Sequence, residues 1–194
     1  MKKINLIIVA MVAFMVGVAF AGEKNLTSDK SAENYGWTFD NGQEFPGATG
    51  KLSIDAAEKN ALKLEGNFTN GGNYVETKIK LDNVEVNTIS FLLKYPNASH
   101  LTMRIIDSGD QCHQISFKIK NTPDWQKVNF DLGSYLAEKG NSPAAEIVKK
   151  YENWGGANDG KWHGPAKLIC ILVGKTEENK TPTLWLNEFK LITK

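Results

Sequence analysis

The sequence predicts an all-β fold, an antiparallel β-sandwich with one short helix. Two observations carry this. Apolar and polar residues alternate with a period of two in segment after segment, the mark of strands buried on one face. Those segments are short, are separated by glycine-containing turns and show no strand–helix–strand rhythm, which favours a sandwich over a parallel sheet.

The strands follow in order. Leu62, Leu64 and Phe68 share one face, with Lys63, Glu65 and Asn67 on the other. Val75, Thr77, Ile79 and Leu81 repeat the pattern, as do Ile89, Phe91, Leu93 and Tyr95. Val128, Phe130 and Leu132, the apolar run Leu168 to Val173, and Leu184 to Ile192 complete the set. A helix is expected from Pro143 to Tyr151, where Ser142 can cap, Pro143 fits the first helical position, and Ile147 and Tyr151 are four apart. Trp37 and Trp185 read as core, and Trp125 as the seal of a core edge.

One hairpin can be registered from sequence. Leu101, Met103 and Ile105 alternate with Thr102, Arg104 and Ile106; on the return, Ile115, Phe117 and Ile119 alternate with Gln114, Ser116 and Lys118. A two-residue turn at Ser108-Gly109 would pair Met103 with Gln114 and mix the faces. A three-residue loop, Ser108-Gly109-Asp110, pairs Met103 with Ile115 instead, and a one-residue slip flips every side chain, so this register is expected. It sets Arg104 opposite Gln114 and Thr102 opposite Ser116, a polar patch facing away from the core.

The chain start reads as an address. Lys2 and Lys3 precede an apolar stretch from Ile4 to Val18, and Ala19-Phe20-Ala21 is a small-x-small cleavage site. The stretch is shorter than the roughly 20 residues a membrane-crossing helix needs. A signal peptide over 1–21, a flexible polar leader over 22–34 and one sandwich domain over 35–194 are therefore expected, with a secreted or periplasmic destination and no membrane attachment after cleavage. The whole chain has 23 basic and 22 acidic side chains; losing Lys2 and Lys3 leaves the balance one charge negative. No basic stripe interrupts this even mixture, which disfavours nucleic acid and points to a neutral ligand. Cys112 and Cys170 would meet an oxidising compartment, where pairing and buried free thiols both stay open.

Signatures of catalysis are missing. No Gly-x-Ser-x-Gly, His-Glu-x-x-His or phosphate-cradling loop occurs, and nothing selects Glu76 or Glu85 as half of a glycosidase carboxylate pair. The densest chemistry lies in Trp154-Gly155-Gly156-Ala157-Asn158-Asp159-Gly160-Lys161-Trp162-His163-Gly164-Pro165, with two tryptophans and four glycines. Glycine lets a backbone approach a ligand closely, and exposed tryptophan in a loop needs a reason. A sugar suits such a site, because its C–H face lies on an aromatic ring and its hydroxyls take amide, carboxylate and guanidinium partners. The candidate ligand-binding residues are Arg104, His113, Gln114, Trp154, Asn158, Asp159 and Trp162. Either tryptophan could instead plug the core, so one outward ring is expected. His113 has core parity opposite Ile105 and reads equally as buried; His100 reads as solvated. Asp40 and Glu44 near the first strand, with Glu188 in the last, could supply oxygen ligands to a structural calcium.

A wider pattern points to a family. Phe39-Asp40, Phe45-Pro46-Gly47-Ala48, Ala61-Leu62-Lys63-Leu64 and Tyr74-Val75 are followed by Met103-Arg104-Ile105-Ile106-Asp107, Gln111, His113-Gln114, Asp124-Trp125 and the Trp-Gly-Gly segment. The series ends with Leu184-Trp185-Leu186-Asn187-Glu188-Phe189-Lys190-Leu191. In this order the residues resemble the galactose-binding-like jelly rolls appended to bacterial glycoside hydrolases as carbohydrate-binding modules. The resemblance implies a sandwich that binds glycans without cleaving them, often with a structural calcium far from the sugar. It also implies a glycoside hydrolase or a cell-surface complex as partner. The family's last strand usually carries two acidic residues where this chain has Asn187-Glu188. A secreted, non-catalytic carbohydrate-binding module is thus the expectation; a structural or protein-interaction sandwich without a sugar site is the alternative, and a small glycan-cleaving enzyme a third.

Overall fold

A computed structural model describes residues 22–138, 141–176 and 179–193; the expected signal peptide lies outside them. Within these residues twelve strands run in order: β1 (Glu23–Asn25), β2 (Thr38–Asp40), β3 (Thr49–Asp55), β4 (Ala61–Asn67), β5 (Tyr74–Val84), β6 (Thr88–Lys94), β7 (His100–Asp107), β8 (Cys112–Lys118), β9 (Gln126–Asp131), β10 (Val148–Trp154), β11 (Ala166–Gly174) and β12 (Thr183–Ile192). Among the described residues one α-helix, α1 (Leu132–Glu138), follows β9. The strands form two antiparallel sheets. One has the order β3-β4-β12-β6-β9 with β1 added to β12, and the other the order β10-β8-β7-β11-β5-β2. The all-β sandwich read from the alternation is the fold.

The core lies between the sheets. Leu62, Leu64, Phe91 and Leu93 from the first meet Met103, Ile105, Ile115 and Phe117 from the second. Trp37 is 2% exposed, packs edge-on against Phe189 and donates its indole N–H to the Leu26 carbonyl at 2.8 Å. The β7–β8 hairpin has the expected register, with Met103 opposite Ile115 and Arg104 opposite Gln114. Its three-residue loop ends on Asp110 at φ 61°.

β12 needs a device, because its apolar residues change parity between Leu186 and Phe189. From Asn187 to Lys190 the strand advances three residues while β6 advances two, from Leu92 to Ser90. This is a bulge with Glu188 at φ 48°, and it returns Phe189 and Leu191 to the core alongside Leu184 and Leu186.

Two expectations are corrected. The segment over 22–34 is not a free leader: Glu23–Asn25 pairs with Lys190–Ile192, and Leu26 and Thr27 are buried. The helix expected over 143–151 is a single 3-10 turn, Pro143–Ile147, capped by Ser142 as read; Val148–Trp154 is instead strand β10, because Val148 and Tyr151 gain partners in Phe117 and Ile115, and tertiary pairing overrides a weak local preference. The α-helix starts at Leu132, where Asp131 accepts from the backbone N–H of Ser134 at 2.9 Å and from its hydroxyl at 2.7 Å, an N-terminal cap. Cys112 and Cys170 are both buried free thiols, on β8 and β11 with β7 between them.

Candidate ligand-binding face

Strand alternation sorts the second sheet into two faces. Met103, Ile105 and Ile115 point to the core, so Thr102, Arg104, Gln114 and Ser116 point away. Pairing extends that outer face across the sheet. Glu152 and Trp154 of β10 lie opposite Gln114 and Cys112, and Cys170 of β11 lies opposite Arg104. Lys78 lies opposite Cys170 and Glu76 opposite Leu172, while Asp40 of β2 closes the far edge opposite Glu76.

Arg104 is the hub. Its Nε donates to Gln114 Oε1 at 2.9 Å, and its Nη1 donates to Glu76 Oε2 at 3.1 Å and to the Tyr74 hydroxyl at 3.3 Å. Its guanidinium carbon lies 4.8 Å from the Tyr74 ring centroid and 5.5 Å from that of Trp154, within cation–π reach of both. Its Nη2 has no hydrogen-bond partner among the described residues. A fixed donor pair between two aromatic rings is therefore available to an incoming oxygen atom.

The neighbours hold this hub still. Gln114 donates to Glu152 Oε2 at 3.0 Å. The Tyr74 hydroxyl donates to Glu44, and Phe45 stands edge-on to Tyr74 while 44% exposed. Burial, and then the Glu44 bond, push the Tyr74 hydroxyl up to about 12, so it stays a donor. The same bond holds Glu44 below the ordinary carboxylate range, and a hydrogen bond from Lys78 at 2.6 Å does the same for Asp40. Glu76 is 8% exposed; burial raises its pKa against the pull of Arg104. Beneath these groups the floor is made of smaller side chains: Cys112, Cys170, Ser116 and Leu172 are all buried. Trp154, 41% exposed, forms one rim and Phe45 the other.

The structure thus brings Arg104, Gln114 and Trp154 together and leaves the other candidates elsewhere. His113 points inward and is fully buried, bonded to Asp107 Oδ2 at 3.1 Å and to the Tyr151 hydroxyl at 2.8 Å; it is a core residue, not a ligand contact. Asp159 shapes its own loop, accepting from the Lys161 backbone N–H at 2.9 Å and bonding the His163 ring at 3.0 Å. These bonds, the His163 one foremost, hold its carboxyl down at about 2. Asn158 accepts from Asn153 Nδ2 at 2.9 Å in the turn beyond Trp154. Trp162 leans on His113 with ring centroids 5.3 Å apart and faces a different hollow. One ring of the two is outward, as expected, and it is Trp154.

The calcium trio does not assemble. Asp40 and Glu44 belong to the second sheet's face and are engaged by Lys78 and Tyr74, whereas Glu188 is the exposed bulge residue of the first sheet. No cluster of three or more His, Cys, Asp or Glu side chains occurs among the described residues. Trp185, read as core, is not part of it, and Trp125, read as the seal of a core edge, is partly exposed. Both are half-buried on the first sheet's side, where their indole N–H groups donate to Asp55 at 2.9 Å and to Glu58 at 3.2 Å. Sequence reasoning missed Tyr74, Glu76 and Glu152. Tyr74, Glu76 and Lys78 alternate with Val75, Thr77 and Ile79, but only the strand order reveals that β10 borders the Arg104 hairpin on one side and that β5 lies one strand beyond it on the other, across β11.

By sequence, neither a known family nor a curated protein matches the chain. Solved structures do match by fold. The family 11 carbohydrate-binding module of a cellulosomal cellulase of Clostridium thermocellum aligns at a TM-score of 0.52 and 15% identity, over 89% of this chain and 95% of that one. The agarase AgWH50C aligns at 0.58 and 13% identity, over 89% of this chain and 25% of that one, so this chain spans a quarter of the agarase's length. An exo-β-agarase aligns at 0.52 and 12% identity, over 81% and 23%. The β-sandwich of this protein is thus the one found in carbohydrate-binding modules and in parts of agarases.

Proposed function

We propose that this protein is an exported, non-catalytic module that binds a neutral glycan on the outer face of the β10-β8-β7-β11-β5-β2 sheet. The observation that carries the reading is Arg104, held between the Tyr74 and Trp154 rings with Nη2 unengaged. A sugar ring resting on the exposed Trp154 indole would bring its hydroxyls to Nη2, Gln114 and Glu152, and stacking plus planar polar partners is how such ligands are held. On this face Lys78 is paired with Asp40 and Arg104 with Glu76. An anionic polymer would have to displace these pairs, so a neutral one is favoured. The kinship of fold with carbohydrate-binding modules supports the same reading, and the sequence's signal-peptide pattern supports export. A companion glycoside hydrolase or surface complex would bring the bound glycan to its chemistry.

The test is affinity electrophoresis through gels holding β-glucans, xylan, galactomannan or agarose. Retardation of the wild type by at least one polymer, lost in Trp154→Ala, is expected. Equal mobility of the wild type in all gels would overturn the proposal.

A further inference from the structure

A hollow apart from this face lies at one end of the sandwich. It encloses about 730 Å³ and is walled by three segments: the turn between β5 and β6, helix α1, and the residues before β11. That volume falls within the roughly 300–1,000 Å³ of small-molecule sites. Leu132, Leu136 and the Trp162 ring give it an apolar wall; Glu85, Asn87 and Lys161 give it a polar one. Neither the Glu85 carboxylate, nor the Lys161 ammonium, nor the Trp162 indole N–H has a hydrogen-bond or ion-pair partner among the described residues. Asn87 Nδ2 makes one long bond, 3.4 Å, to Thr88.

The Trp162 ring is seated there by the backbone. A Cβ on Gly164 would come within 2.5 Å of the indole nitrogen, so glycine at that position is what lets the ring turn toward the hollow. Below it, His113 supports the ring, itself fixed by Asp107 and Tyr151. Gln111 Nε2 pins the Lys161 carbonyl at 2.6 Å. The wall carrying Trp162 and Lys161 is therefore preorganised, which limits the ordering cost of binding.

We infer that this hollow is a second, independent sugar site, taking one or two units at the end of a neutral glycan. A carboxylate, an ammonium, an amide and an indole N–H offer acceptors and donors to several hydroxyls, and their charges cancel. The indole and leucines offer an apolar surface for a C–H face. Three walls suit a chain end, whereas the open sheet face suits the middle of a chain. The inference does not depend on the sheet-face site.

The test uses the chain from Gly22 onward carrying Trp154→Ala, which removes the exposed ring of the sheet face. Cellobiose, laminaribiose and lactose are titrated while the indole N–H resonance of Trp162, assigned with Trp162→Phe, is followed by NMR. A saturable shift with at least one disaccharide, with a dissociation constant on the order of millimolar, is expected. Adding Glu85→Ala, a change at an exposed and unpaired side chain, should weaken that binding about fivefold or more. No shift with any of the three, or an affinity indifferent to Glu85→Ala, would overturn the inference. So would a shift seen in the wild type but abolished by Trp154→Ala, since the signal would then arise at the sheet face. Loss of gel retardation with retention of the Trp162 shift separates the two sites.

Discussion

The Arg104 guanidinium carbon stands 5.5 Å from the centre of the Trp154 ring, although the two residues come from strands separated by β8. Trp154 thus leans over the sheet from its edge strand, and its outer surface remains open. A residue so placed contributes more to what the face can hold than to what holds the fold.

Trp154→Ala is accordingly expected to lower stability by only about 0.5–1 kcal/mol, the range of an exposed cation–π contact, while eliminating polysaccharide retention. Urea denaturation beside affinity electrophoresis measures both. A loss of several kcal/mol would show that the ring is a structural plug.

Arg104→Ala removes the partner of a nearly buried carboxylate. Breaking a buried pair costs about 3–5 kcal/mol; the partial exposure of this one, 19% and 11% for the two side chains, places the expected loss at about 2–3 kcal/mol. Burial raises the pKa of Glu76 in the folded state, so the native protein takes up this proton before the unfolded chain does as the pH falls. Its unfavourable contribution is therefore full at neutral pH and relaxes as the pH drops through the folded pKa toward the unfolded one. Arg104→Ala should recover part of its lost stability as the pH falls from neutral toward the ordinary glutamate value, and adding Glu76→Gln should abolish that recovery. Denaturation midpoints across pH test this.

Asp107 governs the opposite response. Burial pushes its carboxyl upward, but hydrogen bonds from His113 and from the backbone N–H groups of His163 and Gln111 outweigh it and hold it low. Its folded pKa is depressed, so the stabilisation is present above the unfolded value of about 4 and is lost as the pH falls through the folded one. Asp107→Ala leaves three backbone donors and a buried histidine short of a partner. At about 1–3 kcal/mol for each unsatisfied group, unfolding at room temperature is expected, readable by circular dichroism.

Gly156→Ala probes the seam between the loop and the hairpin. Gly156 has φ 51°, and a Cβ there would sit 2.3 Å from the Gly109 carbonyl oxygen. Strain of about 1–3 kcal/mol is expected, with the loop displaced from the β7–β8 turn. Increased acrylamide quenching of tryptophan, at a slightly lowered melting temperature, would report it; unchanged quenching would count against the seam.

Much of this architecture was legible from alternation alone. The Met103–Ile115 register followed from parity, because the competing register would have put Gln114 in the core. The Trp154 end of the loop was legible because glycines and a tryptophan rarely meet on a surface idly. Other features depended on contacts distant in sequence. β1 looks like a polar leader because three residues carry no period; its place is decided by the open edge of β12 beyond the Glu188 bulge. Tyr151 sits four residues from Ile147, a helical spacing by coincidence, and β8 supplied the stronger partner. Trp185 shares a strand with core leucines but has the opposite parity, which the bulge obscures.

The thiols of Cys112 and Cys170 lie on either side of the Arg104 strand. Two strand spacings, about 10 Å, exceed the roughly 4.4–6.8 Å between α-carbons that a disulfide tolerates, and burial holds Cys112 up at about 11 and Cys170 above its ordinary value. Neither thiol can close on the other, and neither is much ionised. Such a sandwich would keep the same covalent structure on both sides of a membrane, and its floor would stay as compact in oxidising surroundings as in reducing ones.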